Sequence, residues 1–161
     1  MRGAARPRES RVPYRTRLPG PVYCDTSALL KAYLPEPGSA EINRMLEGRD
    51  DLLASDLAVT EIVSALSRRL REGALARDEA RRLHGAVVRA LEDGVLRRVD
   101  LTRDVHRRAE FFLIDLARIP LRAADALHLA LATSNRAASL ASFDARLGSA
   151  ARSVGLAVYP E

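Results

Sequence analysis

A chain of 161 residues in which 47% of side chains are apolar is long enough for one domain with a sizeable core and too short for two. No apolar run approaches the length of a membrane span, and the single Cys24 excludes an internal disulfide, so the composition suits a soluble protein of the reducing cytoplasm. The net charge of +5 comes from arginine, Lys31 being the sole lysine; this favours a polyanion such as nucleic acid, although arginines spread over solvated helix faces explain it equally well.

Residues 1–19 are rich in Arg and Pro with almost no apolar periodicity. Such a segment cannot bury enough surface to offset its ordering entropy, and it is expected to be a disordered tail ahead of a domain spanning 20–161. It also lacks the apolar centre of a secretory signal. The first element is the β-prone run Val22-Tyr23-Cys24, which ends on Asp25. Cys24 reads as a small buried hydrophobe. Thr26 or Ser27 suits the N-cap of a helix through Ala28, Leu29, Leu30, Tyr33 and Leu34.

Pro35-Glu36-Pro37-Gly38 then forces a break, and a second helix from about Ser39 places Ile42, Met45 and Leu46 at helical spacing before Gly48. Leu52-Leu53-Ala54 is a strand candidate, and Ser55 or Asp56 caps a helix carrying Leu57, Ile62, Ala65, Leu66 and Leu70 as far as Gly73. Asp78 caps the next helix, which stops at Gly94. Val95 to Val99 reads as a third strand interrupted by Arg97 and Arg98, and Thr102 caps a helix closed off by Pro120. Arg122 to Arg136 is helical, Ser139 to Ser142 a strand, Phe143 to Arg152 a helix and Leu156 to Val158 a last strand. Strands alternating with helices imply an α/β fold of three layers, α/β/α, with a parallel sheet of four to five strands covered on both faces.

Four carboxylates do not fit a solvated surface. Asp25 stands at the carboxyl end of a strand and ahead of a helix, where open α/β sheets place ligands. Asp144 repeats that arrangement, although taken alone a helix cap explains it better. Asp125 opens the segment Ala123-Ala124-Asp125-Ala126-Leu127-His128-Leu129-Ala130, which is apolar on every side and should be buried; a cap is again the plain alternative. Glu61 has apolar neighbours at Ile62, Val63, Ala65 and Leu66 and abuts a buried stripe, whereas Glu41, Glu47, Glu72 and Glu79 sit among polar residues. If the four acids converge, their repulsion calls for a cation. Mg²⁺, with Mn²⁺ as a substitute, prefers such oxygen ligands and coordinates substrate phosphate, which points to a metal-dependent nuclease pocket.

Other chemistries fit less well. There is no GxxxxGK[ST] phosphate loop and no GxGxxG after a strand, and His84, His106 and His128 lack the spacing of zinc ligands. His128 lies one turn after Asp125, within reach of the pocket, but a buried histidine satisfied by hydrogen bonds accounts for it. Ser27 and Ser142 stand beside the strand-end acids and are suited to hydrogen-bond a carboxylate or a phosphate; neither has a histidine placed to make it a nucleophile.

The stretches Asp25-Thr26-Ser27-Ala28-Leu29, Glu61 through Leu66, Leu121 through Ala130 and Ser142-Phe143-Asp144-Ala145-Arg146-Leu147, in that order, resemble a PIN-domain ribonuclease of the VapC toxin type over about residues 21–160. The resemblance implies a sheet ordered 3-2-1-4-5, with Asp25, Asp125 and Asp144 around a metal and Glu61 acting through a water. Thr26, Ser27 and Ser142 would support the acids; family members often carry Thr at the last position. It further implies Mg²⁺-dependent endonucleolytic cleavage of a structured RNA, a transfer or ribosomal RNA, leaving a 5′-phosphate and a 3′-hydroxyl and arresting translation. The implied partners are an antitoxin that fills the acidic pocket and a second copy of the chain. Lys31, Arg122 and Arg146 lie near the motifs and are candidates for phosphate contacts, against the alternative of plain solvated surface. Two other functions compete: a non-catalytic binding module of the same fold, which would have no need to accommodate four mutually repelling acids, and a phosphohydrolase of small phosphate esters. A phospho-aspartate enzyme would usually carry a second acid at the position Ser27 fills.

Overall fold

The computed structural model describes residues 18–160. In chain order the elements are β1 (Val22–Cys24), α1 (Thr26–Tyr33), α2 (Ser39–Leu46), β2 (Leu52–Ala54), α3 (Asp56–Arg71), α4 (Arg77–Glu92), β3 (Arg97–Arg98), α5 (Arg103–Asp115), α6 (Ala123–Ser134), β4 (Ser139–Ala141), α7 (Ala145–Ser153) and β5 (Ala157–Tyr159). All strand pairs are parallel, and the sheet runs β3-β2-β1-β4-β5. That is the α/β architecture and the order the resemblance implies.

Strand pleating sorts the core into two clusters. Tyr23, Leu53, Leu140 and Val158 pack with α5, α6 and α7, while Val22, Cys24, Leu52, Ala54 and Ala141 pack with α1, α3 and α4. Successive strand side chains point to opposite faces, so β1, covered on both, reads as an unbroken buried run. Burial pushes the Cys24 thiol up to about 12, which keeps it a protonated hydrophobe.

The chain progresses from β1 outward to β3, then returns to the other side of β1 for β4 and β5. The reversal falls between β1 and β4, whose carboxyl ends lead to Asp25 and to Ser142-Phe143-Asp144. Helices that follow parallel strands start at that same edge of the sheet, so their electropositive N-termini gather there.

Several local expectations are corrected. Asp25 itself, not Thr26 or Ser27, is the N-cap of α1, its Oδ1 accepting from the Ala28 N–H at 2.9 Å. Ser55 caps α3, with the Ala58 N–H donating to its Oγ, and Thr102 caps α5 as expected. Helix α4 begins at Arg77 after Ala76, which places Asp78 inside the first turn, where its charge favours the helix without capping it. Only Arg97 and Arg98 of the third strand pair with β2; both are exposed at the sheet edge, where charge discourages further pairing. Of the expected tail, residues 1–17 lie outside the described residues. Leu18 packs against the α1-side cluster, its carbonyl accepting from Arg49 Nη1 at 2.8 Å, and the Pro19 carbonyl accepts from Ser139 Oγ.

Candidate active site

Asp25 is 3% exposed and its carboxylate is held by three donors. Ser27 Oγ donates to Oδ1 at 2.7 Å alongside the Ala28 amide, and Ser142 Oγ donates to Oδ2 at 2.7 Å. Its own N–H donates to the Ala141 carbonyl at 3.1 Å and continues the β1–β4 pairing. Burial raises the Asp25 carboxyl above its ordinary range, while the Ser142, Ala28 and Ser27 donors pull it down.

The same two hydroxyls grip the loop after β4. Ser27 Oγ accepts from the Phe143 N–H at 2.7 Å and Ser142 Oγ from the Asp144 N–H at 3.1 Å. Asp144 caps α7, its Oδ1 accepting from the N–H groups of Arg146 and Leu147, while Arg146 Nη2 donates to Oδ2 at 3.0 Å. Burial pushes the Asp144 carboxyl up, but the Arg146 side chain and the two amides outweigh it and hold the group below its usual value.

Glu61 reaches the same region from α3. Its Oε2 accepts from Thr26 Oγ1 at 2.5 Å and lies 2.7 Å from His128 Nε2. The His128 contact, opposed by partial burial and aided by Thr26, lowers the Glu61 pKa, so the group is a carboxylate at neutral pH. Behind His128, Nδ1 lies 2.8 Å from the Tyr23 hydroxyl, which lies 2.9 Å from Ser55 Oγ.

Asp125 behaves in part as the plain alternative held: its Oδ2 accepts from the Arg122 N–H at 2.9 Å across the first turn of α6. Its charge also reaches Arg146, so the two lie within electrostatic range of each other. Thus Ser142 links Asp25 to Asp144, Arg146 links Asp144 to the field of Asp125, and Thr26, next in chain to Asp25, links to Glu61. Among the described residues, however, no three carboxylates, histidines or cysteines are grouped so as to hold an ion. Arg146 supplies the counter-charge at Asp144 instead. The donor set still fits a hard divalent cation, being carboxylate and hydroxyl oxygen throughout, with one carboxylate buried against its own solvation.

Of the basic candidates, Arg146 is half-buried within the site, and Arg122 is exposed at the N-cap of α6. The Lys31 ammonium is engaged: it donates to the Pro37 carbonyl at 2.9 Å, lies 3.9 Å from Glu36 and sits 4.9 Å from the centre of the Phe143 ring. Tyr23 and Ser55 were not singled out by the sequence reading. A tyrosine in an otherwise aliphatic buried strand is the available signal, because its hydroxyl needs a partner.

The PIN domain family profile matches residues 22–153. Ribonuclease VapC45 of Mycobacterium tuberculosis is 35% identical over 144 residues, covering 86% of this chain and 94% of that protein. Ribonuclease VapC46 of the same organism is 33% identical over 141 residues, covering 85% and 95%. In fold, the chain is similar to the crystal structure of Mycobacterium tuberculosis VapC20, described as a Sarcin-Ricin loop cleaving toxin, with a TM-score of 0.66 at 17% identity over 81% of this chain and 95% of that one. The acidic crevice at the β1–β4 switch point thus belongs to a chain that is a member of the PIN domain family, of the VapC ribonuclease type.

Proposed function

We propose that the chain is a divalent-metal-dependent endoribonuclease, the toxin of a toxin–antitoxin pair, that cuts a structured transfer or ribosomal RNA in the cytoplasm. The observation that carries this reading is the buried Asp25 joined through Ser142 to Asp144 at the sheet's switch point, with Glu61 held by Thr26 at the start of α1. Asp25, Asp125 and Asp144 would hold Mg²⁺ or Mn²⁺, with Glu61 acting through a water. When bound, the ion would polarise the scissile phosphate and lower the pKa of a water.

The chain's own groups supply the rest. Ser27 and Ser142 orient the Asp25 carboxylate and the loop that carries Asp144. Glu61 is held by one oxygen and has the other to orient the attacking water in line with the departing 3′ oxygen. Arg146, paired with Asp144, and Arg122, exposed at the N-cap of α6, are the candidates for backbone phosphate contacts, and Lys31 sits over the Phe143 ring. An antitoxin that silences the crevice, and a second copy of the chain as dimer partner, belong to the same proposal.

The test is cleavage of purified ribosomal and transfer RNA by wild type and by Asp144→Asn, with Mg²⁺ and with EDTA. Metal-dependent cutting lost in the variant, with circular dichroism unchanged, is the expected result. Equal cutting by both proteins would refute the assignment.

A further inference from the structure

We propose that Tyr23 and His128 form a positioning pair: the buried Tyr23 hydroxyl holds the His128 ring with its proton on Nε2, and that proton holds Glu61 in place at the crevice. The inference rests on the role given to Glu61 above and adds two residues with no part in that reading.

The pair is assembled from distant parts of the chain. Tyr23 comes from β1 and is 0% exposed, Ser55 caps α3 and is 0% exposed, and His128 on α6 is 3% exposed. Their contacts run in one line: Ser55 Oγ to Tyr23 hydroxyl at 2.9 Å, Tyr23 hydroxyl to His128 Nδ1 at 2.8 Å, and His128 Nε2 to Glu61 Oε2 at 2.7 Å. No buried side-chain nitrogen or oxygen among the described residues lacks a partner, so each proton in the line must fall between two heavy atoms.

Those constraints give the line a direction. Glu61 Oε2 already accepts from Thr26 Oγ1, so at 2.7 Å the donor in its contact with His128 is Nε2. On the other side of the ring Nδ1 is in contact with the Tyr23 hydroxyl, which also shares a hydrogen bond with Ser55, so the imidazole is fixed at both nitrogens. Burial raises the Tyr23 phenol, which keeps it a donor. A ring without a proton on Nε2 would set a lone pair against a carboxylate oxygen at 2.7 Å. The line therefore runs from the interior to a half-buried acid whose second oxygen has no donor among the described residues. A network that served packing alone would have no need to end on a carboxylate at the mouth of the crevice.

The test combines nitrogen-15 NMR of the imidazole in metal-free protein at neutral pH with calorimetric titration by Mn²⁺ alone. Wild type should show a proton on His128 Nε2, and Tyr23→Phe, which frees the Nδ1 side of the ring, should keep that proton while losing Mn²⁺ affinity. Residues that orient a metal ligand typically change affinity by about 10–100-fold. His128→Leu should accordingly lose about tenfold or more in Mn²⁺ affinity, and His128→Gln, which retains an N–H donor, should recover most of it. A wild-type His128 with no proton on Nε2, or His128→Leu folded with wild-type affinity, would overturn the proposal. Should His128→Leu fail to fold, the Mn²⁺ affinities of Tyr23→Phe and His128→Gln decide it. Glu61→Gln separates the two levels. Wild-type Mn²⁺ affinity in that variant removes Glu61 from the metal site altogether, whereas a loss there with none in His128→Leu overturns the positioning pair alone.

Discussion

Ser142 donates its hydroxyl to Asp25 Oδ2 at 2.7 Å while accepting the Asp144 N–H at 3.1 Å, so one small side chain ties two acids from neighbouring strand ends. Ser142→Ala leaves a buried carboxylate short of a donor and an amide short of an acceptor. Hydrogen bonds to charged groups contribute about 1.5–3 kcal/mol, and a loss of that order is expected in the metal-free protein. Ser142→Thr retains the hydroxyl and should recover most of it. Urea unfolding of the three proteins in EDTA measures the difference; an unchanged midpoint in Ser142→Ala would show that the bond contributes little.

Asp25 has its pKa raised by burial, which sets a sign for the dependence of stability on pH. With the native pKa above the unfolded one, the unfolded state ionises first as pH climbs past about 4, and native stability falls through that window. Asp25→Asn carries no such penalty. Relative to wild type, the variant should therefore gain stability from pH 4 to pH 7 in EDTA. Added Mg²⁺ should stabilise wild type by mass action and narrow or reverse the gap. Urea midpoints across that range test this, and a gap that moves the other way would show that the serine and amide donors outweigh desolvation.

Much of this was legible in the chain because the core signals are local. The pure apolar runs at Val22–Cys24 and Leu52–Ala54 announce strands buried on both faces, and α6 is apolar enough to require burial. What escaped depends on contacts distant in sequence. Thr26 looked like a cap, but its hydroxyl is drawn to Glu61 on α3, and Ser27 is drawn to the amide of Phe143, which leaves Asp25 to cap α1. Spacing alone likewise could not show that His128 is clamped between Tyr23 and Glu61, because the partners come from β1 and α3. Nor could it show that Asp144 is already paired with Arg146, two residues along, so that the acids stand apart rather than in a ready-made cluster.

Leu129 is 0% exposed on α6, between the residues that present Asp125 and His128 to the crevice and the body of the core. Leu129→Ala should cost about 2–5 kcal/mol, through lost transfer energy and the cavity left behind. Leu127→Ala, at a partly buried position on the same helix, should cost less. Denaturant titration ranks the two, and a reversed order would contradict the packing described for α6.

Arg146 is the residue whose role changes most with what occupies the crevice. In the protein alone its Nη2 lies 3.0 Å from Asp144 Oδ2, and the Asp125 charge also reaches it. A partly exposed pair of this kind contributes about 0.2–1 kcal/mol, so Arg146→Ala should barely move stability. If the guanidinium turns to a phosphate when RNA arrives, its removal deletes one counterion-releasing contact. The slope of log affinity against log salt should then become shallower by about 0.7, the value for one contact to a single strand. Binding is read by fluorescence anisotropy in EDTA, where no cutting occurs, and Arg146→Lys should retain the wild-type slope because it keeps the charge. An unchanged slope in Arg146→Ala would confine the side chain to its partnership with Asp144 and leave Arg122 as the remaining phosphate candidate beside the crevice.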